Sequence, residues 1–455
     1  MAQPVAEDGG RTHTPRSGAT SEHVRMSTNA AAPRAPKSPE HVVVAGAGMV
    51  GLSTAWFLQE RGVRVTVVDR TGVAAGASWG NAGWISPALT LPLPEPAVLS
   101  YGLRAMVSPS SPVYVPFSTD RQLLRFLVGF ARNCTPARWR AAMAVFARLN
   151  RDALGAYGVL GDGGTAGHGV VEEIRDADPF LAGFASEQDR KILVDELAHV
   201  VSSGGAVDYE LLSGAEIRSL EPTLGDGVQS GVRMLGQRFV NPPAYVASLA
   251  DSVVQRGADL VTGFEVADVV DLGAGGVDVV ARTGERLRAD AVVLATGTWL
   301  GDLARGYGVK RVVQAGRGYS FTVVPDEMPK NPIYFPVQRV ACTPLGDRLR
   351  VAGMMEFRSP DAPLDPRRIN AIVEAARPMF TGVDWTARRE EWVGSRPCTT
   401  DGLPLVGATR SPRVHVAGGH GMWGIALGPL TGRMVADGLT GHDVPSYARH
   451  LDPLR

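Results

Sequence analysis

The segment from residue 41 to residue 69, HVVVAGAGMVGLSTAWFLQERGVRVTVVD, constrains the fold more than any other part of the chain. Its first five residues read as a short, Val-rich strand buried on both faces, as in a covered parallel sheet. Gly46, Gly48 and Gly51 then form G-x-G-x-x-G. The first glycine permits the tight turn, the second lets a pyrophosphate approach the backbone, and the third lets the helix pack on the strand. A helix is expected from about Met49 to Glu60, ended by Gly62, with its N-terminal amides aimed at the phosphates. Residues 63–68 form the second strand. Asp69 follows Gly48 by about 20 residues, where a carboxylate accepts hydrogen bonds from ribose hydroxyls and repels a 2′-phosphate. Strand, glycines, helix and acid together specify a cradle for an adenine dinucleotide.

The rest of the chain narrows the dinucleotide. Residues 71–87, TGVAAGASWGNAGWISP, carry no charge. Small residues there suit close backbone approach to a large flat ligand. Residues 289–300, ADAVVLATGTWL, read as a strand ending at Thr296 and Gly297. Residues 413–419 give another strand, followed by His420-Gly421-Met422-Trp423-Gly424 and a helix from about Ile425 to Asp437. Amides at that helix start would stabilise negative charge on the N1–C2=O2 edge of a reduced flavin. These features point to FAD.

Composition excludes other classes. The 455 residues have zero formal net charge, which does not favour a nucleic-acid partner. Cys134, Cys342 and Cys398 are far apart and odd in number, so neither a disulfide framework nor a metal site is expected. A reducing, cytoplasmic setting fits. Residues 1–39 lack periodicity and read as a disordered extension. No apolar run reaches membrane-spanning length.

The motifs G46-A-G48-M-V-G51 with Asp69, S78-W-G-N81-A-G83-W-I-S-P, R317-G-Y319-S, D290-A-V-V-L-A-T-G297, G394-S-R396-P-x-T-x-D401-G-x-P-L-V-G407 and G419-H420-G421 span residues 40–440. In order and spacing the chain resembles the D-amino-acid oxidase-like family of FAD oxidoreductases, most of all bacterial D-amino-acid dehydrogenases. The resemblance implies an α/β, Rossmann-like FAD-binding domain from residues 40–85, 240–308 and 396–442. A discontinuous antiparallel-sheet substrate domain takes 86–239 and 309–395, and 443–455 form a tail. Strands are expected over 311–324, 331–344 and 347–357, with helices over about 119–160 covering that sheet. FAD contacts are expected at Gly46, Gly48, Met49, Val50, Gly51, Asp69, Arg70, Ser78, Asn81, Ala82, Gly83, Val266, Thr296, Gly297, Trp299, Gly419, Gly421, Met422, Gly424 and Ile425. Non-covalent binding is expected, because the spacing from Cys398 to Asp401 differs from that of covalently flavinylated relatives.

The resemblance further implies an amino-acid substrate oxidised at Cα, with oxygen or a quinone as electron acceptor. Arg396 of G-S-R-P is expected to hold the substrate carboxylate in a two-pronged fork. Tyr319 either bonds that carboxylate or is a core aromatic. His420 bonds flavin or substrate, or caps the helix. Trp84 and Trp423 are pocket walls or core residues. Oxidative deamination of a D-amino acid is the leading activity. Oxidation of a secondary amine or imino acid such as sarcosine, glycine, proline or hydroxyproline is the alternative, and a flavin subunit without turnover is a third reading. Residues 121–151 hold seven arginines and no acidic residue. They are either a basic face for peripheral contact with the inner membrane, or solvated helices whose arginines pair with carboxylates elsewhere.

Overall fold

A computed structural model describes residues 38–96, 108 and 111–455; the expected disordered extension lies almost wholly outside the described residues. The elements that matter here are, in chain order, β1 (His41–Ala45), α1 (Met49–Glu60), β2 (Arg64–Asp69), α2 (Arg121–Asn133), α3 (Pro136–Asp162), β3 (Val313–Val323), β4 (Ile333–Phe335), β5 (Val340–Leu345), β6 (Arg348–Phe357), β7 (Arg389–Thr399) and α4 (Gly424–Thr440).

A six-stranded sheet forms the first layer. Its order is Asp259–Thr262, β2, β1, Ala291–Leu294, Val414–Gly418 and Leu405–Ala408. All neighbours are parallel except the last pair. Alternation along β1 explains its apolar run. Val42 and Val44 enter the core under α1, α3 and α4, whereas Val43 and Ala45 enter a second core. That second core is closed by a three-stranded antiparallel sheet, Val266–Asp271, Val277–Ala281 and Arg286–Ala289. Both faces are therefore covered, as an unbroken Val run requires.

Helices α1 and α4 cross unusually closely. A Cβ at Gly432 would fall 2.5 Å from the Ser53 carbonyl carbon, and one at Gly428 would fall 2.6 Å from Met49 Cγ. Four residues apart, the two glycines share one helix face, and only hydrogen there lets the backbones meet. Tyr157 of α3 donates its hydroxyl proton to the Ile425 carbonyl at 2.5 Å, fixing the start of α4.

The second layer is a nine-stranded sheet in the order β7, β3, β6, β5, β4, Phe180–Phe184, Ser230–Met234 and Tyr209–Ser213, with Val113–Tyr114 beside β6. The expected strand over 331–344 is in fact two. Pro336 cannot continue the ladder, and the chain turns through Arg339 at φ 54° into β5. The helices also divide their work differently from expectation. α2 packs Leu123, Phe126 and Phe130 against Met355 and Phe357 of the second sheet. α3 instead buries Phe146, Leu149 and Tyr157 in the core of the first layer. Residues 446–451 form a short 3-10 turn rather than a free tail, with Tyr447 donating to Asp152.

Register decides which side chains of the second sheet share a face. In the β3–β7 ladder Gly316 pairs with Arg396, Gly318 with Gly394, Tyr319 with Val393 and Ser320 with Trp392. Paired residues point the same way and successive ones alternate. Tyr319 thus faces away from Arg396. It is fully buried with Phe321, Val351 and Ile372. Its hydroxyl donates to Glu356 Oε2 at 2.5 Å, beside Arg317 Nη1 at 3.3 Å from the same oxygen. Of the two readings of Tyr319, carboxylate ligand or core aromatic, its burial and its bond to Glu356 support the core aromatic. Tyr319→Phe should leave substrate KM unchanged but remove about 1–3 kcal/mol of stability by stripping a donor from buried Glu356. Denaturant unfolding and steady-state kinetics check this; a raised KM with unchanged stability would return Tyr319 to the pocket.

Candidate functional site

A cleft of about 350 Å³ opens at the carboxyl ends of the parallel strands, the position where such sheets place ligands. Gly46, Gly48, Met49, Val50, Asp69 and Arg70 line one end. Gly46 has φ +119°, and a Cβ on it would fall 2.4 Å from the Ala295 carbonyl oxygen. Asp69 accepts from the Ala47 amide at 2.9 Å and from the Thr71 and Gly72 amides at 2.8 and 2.9 Å. Its carboxylate thus braces the turn while lining the cleft. The Arg70 guanidinium lies 3.5 Å from the centre of the Trp299 ring, and Val266 lines the same end. Guanidinium and indole stack on each other at this, the expected adenine end of the cleft.

At the other end Ser78, Asn81, Thr296, Gly297, His420, Gly421, Met422, Gly424 and Ile425 line the cleft. Ser78 Oγ accepts from the Met49 amide at 3.2 Å, and Asn81 reaches the Met422 carbonyl at 3.4 Å. The residues before α1 and α4, Gly48 and Trp423, cap neither helix with their own side chains, only Ser78 reaches the first amide of α1, and both starts line this cleft. Two positive dipole ends therefore converge there. Thr296 and Thr298 also line it, each with a buried hydroxyl oxygen that lacks a partner. The cradle glycines, the two helix starts and the orphan hydroxyls fit FAD. Cys398 packs beside Phe130 and Met355, away from the cleft lining, and burial pushes its thiol up to about 12.

Arg396 enters the cleft from the second sheet, flanked by Ser395 and Pro397. Its guanidinium lies flat over Gly318, where a Cβ would sit 2.2 Å from Cζ. Nη1 donates to the Met354 carbonyl at 2.8 Å. No carboxylate pairs with it among the described residues. Burial without a counter-ion pulls its pKa down to about 10. A desolvated cation of this kind gains strongly from an anionic ligand.

Other expected contacts fall outside the cleft lining. Gly51 does its work against Gly46, whose carbonyl oxygen would sit 1.8 Å from a Cβ there. Ala82 offers its carbonyl to Thr343, and Gly83 turns at φ +81° against Val240. Gly419 turns at φ +75° against Thr399. Trp84 donates to Thr343 and stacks edge-on against Phe180 and Tyr334. Trp423 donates to the Leu91 carbonyl at 2.7 Å. Both tryptophans are thus structural with respect to this cleft. His420 lines the cleft, but burial pulls its imidazole down to about 4 and its Nε2 is engaged with Thr431 at 2.8 Å. It is a neutral positioning group. Phe264 and Arg282 line the adenine end unforeseen; they come from the flanking three-stranded sheet and its lead-in, and no local motif marks them.

A family model described as FAD dependent oxidoreductase matches residues 41–438. A D-amino acid dehydrogenase of Cereibacter sphaeroides is 31% identical over 410 residues, covering 88% of this chain and 92% of that protein. Among solved structures, glycine oxidase from Geobacillus kaustophilus superposes with TM-score 0.67 at 22% identity, covering 92% of this chain and 98% of that one. Iminodiacetate oxidase from Chelativorans superposes with TM-score 0.68 at 18% identity, covering 90% and 98%. Cradle, cleft and likeness agree, and the chain belongs to the family of FAD-dependent oxidoreductases.

Proposed function

We propose that the chain oxidises a D-amino acid at Cα. The observation that carries this reading is Arg396, a half-buried cation in the flavin cleft whose guanidinium meets a backbone carbonyl and the Met355 sulfur but, among the described residues, no carboxylate. It would hold the α-carboxylate and present Cα to the cofactor. Bound FAD supplies the two-electron acceptor. As the Cα hydrogen leaves as hydride, the amine lone pair forms the C=N bond and a nitrogen proton departs. Water then releases the 2-oxo acid and ammonia. Gly318 keeps the guanidinium flat, neutral His420 keeps its charge out of the site, and oxygen or a quinone takes the electrons. The D configuration draws its support from the 31% identical relative, a D-amino acid dehydrogenase.

Anaerobic titration of the holoenzyme with D-amino, L-amino and imino acids tests the reading. Flavin bleaching by D-amino acids is expected; bleaching only by sarcosine or proline would transfer the activity to secondary amines. Arg396→Ala should lower kcat/KM by roughly 100-fold, mostly through KM, while the flavin spectrum persists; the estimate follows from the roughly 1.5–3 kcal/mol of a charged hydrogen bond. Unchanged kinetics would remove Arg396 from the site.

A peripheral contact with anionic lipid belongs to the same reading. The seven arginines from Arg121 to Arg151 form no ion pair among the described residues, against the alternative that they pair elsewhere. Phe117, Leu124 and Val128 are 99%, 48% and 53% exposed on or beside α2. Each arginine near an anionic surface contributes about 1 kcal/mol. Co-sedimentation with phosphatidylglycerol vesicles is expected, weakening in salt and in Arg121→Glu/Arg125→Glu; equal pelleting with neutral vesicles would refute it.

A further inference from the structure

On the strand that carries Arg396, an indole stands beside the guanidinium. Alternation along β7 puts Trp392, Gly394, Arg396 and Cys398 on one face. Across the ladder from the first three lie Ser320, Gly318 and Gly316, in that order. The two bare positions in the middle, Gly318 and Gly394, are partners. The Arg396 guanidinium covers Gly318, as described above. The ring of half-buried Trp392 covers Gly394, where a Cβ would fall 1.9 Å from both Cη2 and Cζ2. Paired Cβ positions lie roughly 5 Å apart, which sets indole and guanidinium no more than roughly 10 Å from each other.

The loop that serves the flavin holds this ring in place. Ser78 and Asn81 line the cleft, and Gly80 between them lies on the opposite edge of the indole. A Cβ on Gly80 would fall 2.0 Å from Cε3 and 2.2 Å from Cδ2. Trp79 tilts against Trp392 at 45°, with 6.3 Å between ring centres. Trp79 is itself anchored by buried Arg350, whose guanidinium lies 4.7 Å from the ring centre and donates to the Trp79 carbonyl at 2.5 Å. A side chain at Gly80 or Gly394 would expel the indole, so both glycines reserve the place for it. Trp392 is wedged between the second sheet and the flavin loop.

Along β7 in the other direction the face is already filled. A Cβ on Gly316 would meet the Met355 sulfur at 2.5 Å and the Cys398 sulfur at 2.7 Å. Both belong to the apolar cluster under α2, which Met422 joins. A carboxylate bound to Arg396 therefore has that cluster on one side and the indole on the other. A bidentate carboxyl carbon sits roughly 4 Å from the guanidinium carbon. The indole edge needs a further roughly 3.5–4 Å of contact distance. Between them there is room for about one or two carbons beyond the carboxylate.

We propose that Trp392 is a specificity-determining residue: its indole is the wall that limits the substrate to a short side chain. The proposal rests on the amino-acid reading above and adds to it the length of chain that fits. With the α-carboxylate on Arg396, Cα and Cβ reach the indole edge. Each further methylene has to displace a ring held by Gly80, Gly394 and Trp79.

The test compares kcat/KM of the holoenzyme for D-alanine, D-norvaline and D-norleucine, a series that lengthens one unbranched apolar chain. A fall of at least about tenfold from D-alanine to D-norleucine is expected. In Trp392→Ala the ratio of D-norleucine to D-alanine should rise at least about tenfold, and in Trp392→Leu by less, with the flavin absorbance of the native protein retained. A native enzyme indifferent to length or favouring D-norleucine, or a ratio unmoved in the folded variants, overturns the proposal alone. No bleaching by these three or by any other D-amino acid overturns both this proposal and the reading beneath it.

Discussion

The crossing of α1 and α4 is the constraint on which the site depends. Gly428 and Gly432 let α4 lie on the backbone of Met49, Ser53 and Thr54. Because of that contact, two helices from opposite ends of the chain begin at one place. One start follows the Gly-rich turn after β1, and the other follows the loop His420–Trp423. Each contributes its dipole to the same cleft. A side chain at either glycine would separate the helices, and the two positive ends would no longer address one ligand.

The second sheet adds chemistry to that electrostatic floor. Its strand β7 carries Arg396 across a surface kept bare by Gly316 and Gly318. The guanidinium is thereby held flat against one carbonyl and the Met355 sulfur, with no carboxylate paired to it among the described residues. A salt-bridged arginine would offer less to a ligand, since its charge would already be answered. The molecule holds a half-buried cation at some cost to its own stability, a cost that the substrate carboxylate would offset on the proposed reading.

Much of this was legible in the sequence wherever information is local. The span of β1, the limits of α1 and the place of Asp69 at the cleft all follow from periodicity and glycine spacing. Arg396 was legible through its motif. What stayed hidden was relational. Tyr319 lies in a motif as suggestive as that of Arg396, yet its pairing with Val393 turns it to the opposite face, and pairing partners 74 residues apart leave no local mark. The break at Pro336 was visible as a residue but not as a hairpin, whose turn runs through Arg339. Phe264 and Arg282 join the cleft only because a separate small sheet folds back on the first.

The orphan hydroxyls of Thr296 and Thr298, the helix starts whose own N-cap residues bond nothing, and the guanidinium without a carboxylate among the described residues are all requirements that the polypeptide leaves to its ligands. Ligands that bind only the folded form stabilise it by mass action, about 2.7 kcal/mol at one hundred times the dissociation constant. That is comparable to deleting a harmful core mutation. The stability of this chain is therefore tied to flavin occupancy, so that loss of the cofactor lowers the folding free energy as well as the activity.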